Sequence, residues 1–127
     1  MEQTEIPQSA AICMVDTQMV LVTNKKGTRW VLPKGHLESD DPSHAFRAGT
    51  EAWEEAGVRG ELDPNSVGSF SYRKGGRDYR VQVFVMSGCS LAEDWPEAEQ
   101  RKRILVTPQR AAGMVREPEL QLLLRGL

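Results

Sequence analysis

Three glutamates, Glu51, Glu54 and Glu55, are spaced so that a helix would carry them on one side, with Arg47 one turn earlier. At 100° per residue the four fall within a sector of roughly 100°. Like charges three and four residues apart repel by a few tenths of a kcal/mol per pair. The cluster therefore asks for positive charge. Arg47 supplies one unit, and a hard divalent cation would supply more. Mg²⁺ takes oxygen ligands, keeps several waters and commonly bridges carboxylates to substrate phosphates. The alternative for the same stripe is a solvated, salt-bridged helix face. The run just before the helix favours a site: Leu32-Pro33-Lys34-Gly35-His36-Leu37-Glu38 sets a glycine backbone and a lysine at its entrance.

The helix itself is read from its other side. Ala45, Ala48, Ala52 and Ala56 recur at helical spacing and make a narrow face of small side chains. Asp41-Pro42 is the expected start, since Asp caps exposed amides and Pro is favoured at the first helical position. Gly57 is the expected stop. Gly49 sits inside at a cost of about 1 kcal/mol relative to Ala, which close packing against a sheet would explain.

Around this helix the chain alternates strand and turn signals. Residues 1–8 read as frayed. Ser9 to Val15 and Met19 to Thr23 read as a hairpin through Asp16-Thr17-Gln18, followed by a turn at Asn24-Lys25-Lys26-Gly27. Trp30-Val31-Leu32 is a short strand, and Lys34 to Asp41 a loop. Val67–Arg73 and Tyr79–Met86 are strands joined by a hairpin loop, Lys74 to Asp78. Glu93 to Glu97 is turn-rich, and Ile104-Leu105-Val106 is a last strand. Helices follow from Thr107-Pro108 to about Val115 and from Pro118. Strands mixed with two or three helices predict an α/β sandwich with a mixed sheet.

The segment from Gly35-His36-Leu37-Glu38-Ser39-Asp40-Asp41 to Glu51-Ala52-Trp53-Glu54-Glu55-Ala56-Gly57-Val58 resembles the signature box of the Nudix hydrolase family. That pattern runs Gly-x5-Glu-x7-Arg-Glu-U-x-Glu-Glu-x-Gly-U, with U aliphatic. Further stretches resemble the bacterial branch similar to diphosphoinositol-polyphosphate and diadenosine-polyphosphate hydrolases: Gly68 to Lys74, Val81 to Phe84, Asp94-Trp95-Pro96-Glu97 with Arg101 and Arg103, and the tail from Pro108. The resemblance implies a Nudix-type α/β/α sandwich. It also implies hydrolysis of a pyrophosphate bond in a nucleoside diphosphate linked to a moiety X, such as a dinucleoside or diphosphoinositol polyphosphate. The other readings are a Nudix hydrolase of a nucleotide sugar, nucleoside triphosphate or capped RNA, and a Nudix-fold binding module without catalysis.

Carried onto this chain, the resemblance makes Glu54 and Glu55 the principal ligands of Mg²⁺, or Mn²⁺, with the Gly35 carbonyl. Glu51 is a ligand or the base that orients water. A further acid from a later loop is expected, Glu97 first and Glu99 second. Lys34 is expected to approach phosphate, and Arg73, Lys74, Arg77 and Arg80 to grip a polyphosphate tail. Arg101, Lys102 and Arg103 form a second basic patch. Two departures stand out. The box is one residue too long, so either Asp40 or Asp41 replaces its first glutamate. Thr50 stands where the box has the arginine that orients a catalytic glutamate, and Arg47 is the expected substitute.

Composition frames these assignments. A chain of 127 residues with 39% hydrophobic and 27% charged residues predicts one globular domain, 1–127. A net charge of -2 argues against a general polyanion-coating protein, and no obligate nucleic-acid partner is expected. No apolar run approaches the roughly 18 residues of a membrane span. The acids in Met1 to Glu5 do not suit a signal peptide, and a cytoplasmic monomer or homodimer is expected. Cys13 and Cys89 read as buried, reduced thiols. His36 and His44 are not spaced as metal ligands, and Trp30, Trp53 and Trp95 read as core or loop anchors. Eight of the 18 acids fall between Glu38 and Asp63. The basic residues gather elsewhere, so the small net charge is a cancellation of separate patches.

Overall fold

A computed structural model describes residues 4–127 of the chain. Strand β1 (Ile6–Val15) turns into β2 (Gln18–Thr23), followed by β3 (Trp30–Val31) and β4 (Lys34–His36). Helix α1 (His44–Ala56) leads to β5 (Val58–Leu62), β6 (Gly68–Lys74) and β7 (Arg77–Leu91). Strand β8 (Arg103–Val106) and helices α2 (Pro108–Ala112) and α3 (Pro118–Arg125) complete the order. The sheet runs β3-β2-β1-β7-β5, with β4 on β1, β6 on β7 and β8 on β2. Among the described residues only β1 and β7 pair in parallel, so the sheet is mixed.

Helices cover both faces of that sheet. Successive residues of β1 serve opposite sides, as the strand period of two requires. Ala10 and Ile12 join Phe70, Ala111, Leu120 and Leu124 on the side of α2 and α3. Ala11 and Cys13 join Val20, Phe84, Ala48 and Ala52 on the side of α1. A strand buried on both sides reads as nearly continuous apolar sequence, which is what β1 and β2 supply. The alanine face of α1 lies on the sheet as the periodicity predicts, and the α/β/α sandwich is the architecture found.

Several boundaries differ from the expectation. Helix α1 begins at His44, and its cap is Ser43, whose Oγ accepts from the Phe46 N–H at 3.0 Å. Asp41 does not cap the helix because its carboxylate is held by Arg47 and by the Glu38 N–H. Lys34–His36 forms β4 against β1 rather than a loop. Strand β1 starts at Ile6, inside the stretch read as frayed; residues 1–3, and with them Glu2 of the acids weighed against a signal peptide, lie outside the described residues. The 74–78 loop shrinks to Gly75-Gly76, with φ of 60° and 75°, because the strands pair up to Lys74↔Arg77. A two-residue hairpin turn with both central φ positive favours Gly-Gly. Strand β7 runs on to Leu91 to pair with the unanticipated β5, whose Arg59, Gly60 and Glu61 gave no strand pattern. Helix α2 stops at Ala112, short of Val115. Cys13 is fully buried, but Cys89 is only half-buried; both are free thiols. No helix among the described residues is long and apolar enough to cross a membrane.

Gly49 is not required by packing. A Cβ there would meet Leu62 Cδ2 at 3.7 Å and Met86 Cε at 3.9 Å, which are ordinary contacts. Gly49→Ala is therefore expected to stabilise the chain by about 0.5–1 kcal/mol, read as a higher midpoint in thermal or urea unfolding.

Candidate active site

The acids of α1 face the edge of the sheet where β4 pairs with β1. Gly35 in β4 lies so close to Glu51 that a Cβ on it would occupy the space of the Glu51 carboxylate. That absence of a side chain lets the backbone of β4 and the helix acid share one small volume. Glu51 is buried, and its Oε2 accepts from Arg47 Nη1 at 3.0 Å. Among the described residues its Oε1 has no hydrogen-bond partner.

Arg47 is the hub of this half of the site. Its guanidinium also meets Asp41 through two bonds, Nε to Oδ2 at 2.8 Å and Nη2 to Oδ1 at 3.0 Å. Glu38 approaches it at 3.5 Å. These acids raise the Arg47 pKa further, and the Asp41 carboxyl is held below its ordinary range by the Arg47 bonds. Of the two aspartates left open by the lengthened box, Asp41 is the one bonded to Arg47, while Asp40 is exposed. Thr50 spends its hydroxyl on the Phe46 carbonyl, 3.2 Å away. Arg47→Ala is expected to lower turnover and divalent-ion affinity about 10–100-fold, as loss of a group that orients ligands does. Steady-state rates and a Mn²⁺ titration check this; unchanged values for both would contradict it.

Glu55 is fixed by two donors. The Lys34 N–H reaches Oε1 at 3.1 Å and Arg101 Nη2 reaches Oε2 at 3.2 Å. Burial nevertheless pushes its pKa up to about 7, against the pull of Arg101. Glu54 is half-buried, and its carboxylate makes no hydrogen bond or ion pair with another described residue. Its pKa is raised, first by desolvation and then by the charge of Glu51, with Glu97 and Glu38 adding to the effect. Glu97 comes alongside because its N–H donates to the Glu54 carbonyl at 3.1 Å. Its Oε1 accepts from Arg101 Nε at 2.8 Å. Glu99 is exposed.

The site opens into a cleft of about 620 Å³ whose walls include Lys34, His36, Glu51, Glu55, Lys74 and Arg77. Tyr72 and Tyr79, stacked 4.8 Å apart at 9°, line it too, and His36 meets the Tyr79 ring edge-on at 5.7 Å. A second opening of about 430 Å³ shares Lys34, Glu55, Tyr72 and Lys74 with the first. Its other walls carry Lys25, Lys26, Arg29, Arg73, Arg101 and Arg116. Lys34 thus stands between the two, its Nζ 5.2 Å from the Tyr72 ring centre, and desolvation lowers its pKa.

The hairpin cations divide. Lys74 and Arg77 face the clefts. Arg73 is bound to Asp78 at 3.0 Å. Arg80 is turned to Glu5 and Glu119, at 3.4 and 3.8 Å, and to Ser69, and it lines neither cleft. Sequence reasoning passed over Lys25, Lys26, Arg29 and Arg116, which looked like turn and tail residues. It read Arg101 only as part of a basic patch. Trp95 is an anchor: its indole N–H donates to the Glu55 carbonyl at 2.9 Å.

The donor set suits a hard cation. It offers carboxylate and backbone oxygens, the unpaired Glu54, the free oxygen of Glu51, and a glycine where a side chain would intrude. Among the described residues no group of three or more Asp, Glu, His or Cys side chains is placed to hold a metal ion by itself. An open arrangement of few carboxylates and several waters is what Mg²⁺ accepts.

No family model matches the chain. Among curated proteins it is 33% identical over 84 residues to the mouse diphosphoinositol polyphosphate phosphohydrolase 3-alpha, covering 65% of this chain and 49% of that protein. It is 36% identical over 88 residues to Nudix hydrolase 4 of Arabidopsis thaliana, covering 68% of this chain and 42% of that one. The chain thus spans about half the length of the curated relatives it matches. Among solved structures, the Escherichia coli ORF135 protein superposes with a TM-score of 0.75 at 20% identity, covering 97% and 88% of the two chains. The Caenorhabditis elegans Ap4A hydrolase gives 0.70 at 16% identity over 96% and 95%. These two likenesses speak to the fold. With the box residues in place around Gly35 and α1, and with these curated relatives, the chain belongs to the Nudix hydrolase family.

Proposed function

We propose that the protein is a divalent-metal-dependent hydrolase that cuts a pyrophosphate bond in a nucleoside diphosphate linked to another moiety. The observation that carries this reading is the Glu51 carboxylate set against the side-chain-free Gly35 in a cleft that Lys34, Lys74 and Arg77 also line, with Glu54 close enough to feel the charges of Glu51 and Glu97. Bound Mg²⁺ or Mn²⁺ would neutralise phosphate charge and supply an activated water. Glu51, Glu54, Glu55 and the Gly35 carbonyl are the groups that would hold it, with Glu97 as the further acid. Arg47 keeps Glu51 oriented, with Asp41 taking the part of the missing box glutamate. The oxygen of Glu51 that Arg47 leaves free would either hold the ion or accept the proton of the attacking water. Lys34, Lys74 and Arg77 hold the phosphates and draw charge away from the breaking bond.

For the substrate, the second opening favours a polyphosphorylated molecule, either a dinucleoside polyphosphate or a diphosphoinositol polyphosphate. Lysines and arginines outnumber its one acid, Glu55, and phosphates are the natural partners of such clusters. Two relatives carry those activities in their names, which supports the same choice. Incubating the protein and Mg²⁺ with diadenosine polyphosphates, diphosphoinositol polyphosphates, a nucleotide sugar and ATP tests the reading. Cleavage of the first two groups at least about tenfold faster than the others is expected from cationic steering. Preference for the nucleotide sugar would overturn the substrate choice, and ligand binding without any cleavage would leave a binding module.

A further inference from the structure

We propose that Arg101 is a positioning residue of the site: it orients the Glu55 carboxylate on α1 and the Glu97 carboxylate of the following loop relative to each other. The inference rests on the hydrolase reading above. The Arg101 side chain is 8% exposed and uses three directions of its guanidinium. Nη2 meets Glu55 Oε2 at 3.2 Å, Nε meets Glu97 Oε1 at 2.8 Å, and Nη1 donates to the Thr23 carbonyl at 3.0 Å. One side chain therefore ties the end of β2, the acidic turn of α1 and the loop that delivers the later acid. A planar guanidinium with fixed N–H directions does this with little freedom left to lose, whereas an ammonium is a point charge on a flexible stem.

The rest of the loop seats the backbone but leaves the carboxylates to Arg101. The Trp95 indole bonds the Glu55 carbonyl, and the Glu97 N–H bonds the Glu54 carbonyl. Arg103 Nη1 bonds the Ala56 carbonyl at 2.8 Å and stacks on Trp95, 4.2 Å from the ring centre. Trp95 presses so close to Gly57 that a Cβ there would lie 2.8 Å from the indole. Each of these contacts fixes main chain at the C-terminal turn of α1. Among the described residues, the ion pair to the Glu97 carboxylate comes from Arg101.

A cation beside two ligand acids has two opposed effects. If Arg101 only competes with a divalent ion, removing it tightens ion binding. If it positions the acids, removing it weakens ion binding and slows the reaction more than it weakens substrate binding. The test compares wild type, Arg101→Gln and Arg101→Lys by Mn²⁺ titration of the substrate-free protein, thermal melting, and kcat and KM on the fastest substrate. Positioning predicts a Mn²⁺ Kd raised and a kcat lowered by about 10–100-fold in Arg101→Gln, with KM rising by a smaller factor than kcat falls. Arg101→Lys recovers part of both, since a lysine reaches one carboxylate but not two. Tighter Mn²⁺ binding, a raised KM at unchanged kcat, or unchanged kcat and Kd in a folded variant would each overturn the proposal. If Arg101→Gln does not fold, Arg101→Lys decides by the same signs. If wild type cleaves nothing, the hydrolase reading fails, while the Mn²⁺ titration still decides whether Arg101 orients the acids.

Discussion

Glu54→Gln is expected to reduce turnover at least about 10²–10³-fold, the scale of losing a group that stabilises developing charge directly. The fold should be unaffected. The half-buried Glu54 carboxylate has no ion pair or hydrogen bond with another described residue, so no partner is orphaned by the change. Its pKa already sits above the ordinary range because burial and the neighbouring Glu51 charge disfavour ionisation. Neutralising it should therefore leave the melting midpoint unchanged or slightly raised. A protein that melts as wild type does and turns over at a small fraction of the rate is the predicted pair of results. Unchanged turnover would remove Glu54 from the mechanism.

Gly35→Ala is expected to behave differently from a simple packing defect. The new methyl would fall on the end of the Glu51 side chain, which is a movable group rather than fixed backbone. Overpacking typically costs about 1–3 kcal/mol, and the far end of a glutamate can relieve part of that by swinging aside. Swinging aside is what the site cannot tolerate. Glu51 would leave both Arg47 and the space beside β4. Displacement of a reacting group by about 1 Å costs on the order of 10²-fold in rate. The expected outcome is a modest fall in the unfolding midpoint with turnover down by about 10²-fold, measured on the same preparation. Activity that falls only in proportion to the folded fraction would contradict the cradle.

How much of this was legible in the sequence follows from the range of each interaction. The acids and alanines of α1 are local in sequence, and helical periodicity alone puts them on separate faces. Gly35 was legible through its motif, although its reason, the closeness of Glu51, needs two elements to be assembled. The start of α1 was misplaced because Asp41 has two possible uses, and bonding Arg47 prevailed over capping. The hairpin cations illustrate the limit most clearly. Arg73, Lys74, Arg77 and Arg80 look alike as a string. Partners far along the chain, Glu5 and Glu119, take Arg80 out of the group. Lys25, Lys26 and Arg116 enter it because folding brings the β2–β3 turn and the segment before α3 to Lys34. Arg101 lies 46 residues from Glu55, and nothing in its neighbours' sequence points to that contact. Strand β5 was illegible because a bulge between Arg59 and Glu61 breaks its alternation.

The central claim is that the acids of α1, with a divalent ion, hydrolyse a phosphate anhydride. Its most direct test follows phosphate or nucleotide release from a diadenosine or diphosphoinositol polyphosphate while Mg²⁺ is removed with EDTA and then restored. Cleavage is expected to stop on chelation, to return on adding Mg²⁺, and to stay near background in Glu54→Gln at every Mg²⁺ concentration. Cleavage that persists in EDTA, or that Glu54→Gln supports at the wild-type rate, would contradict it.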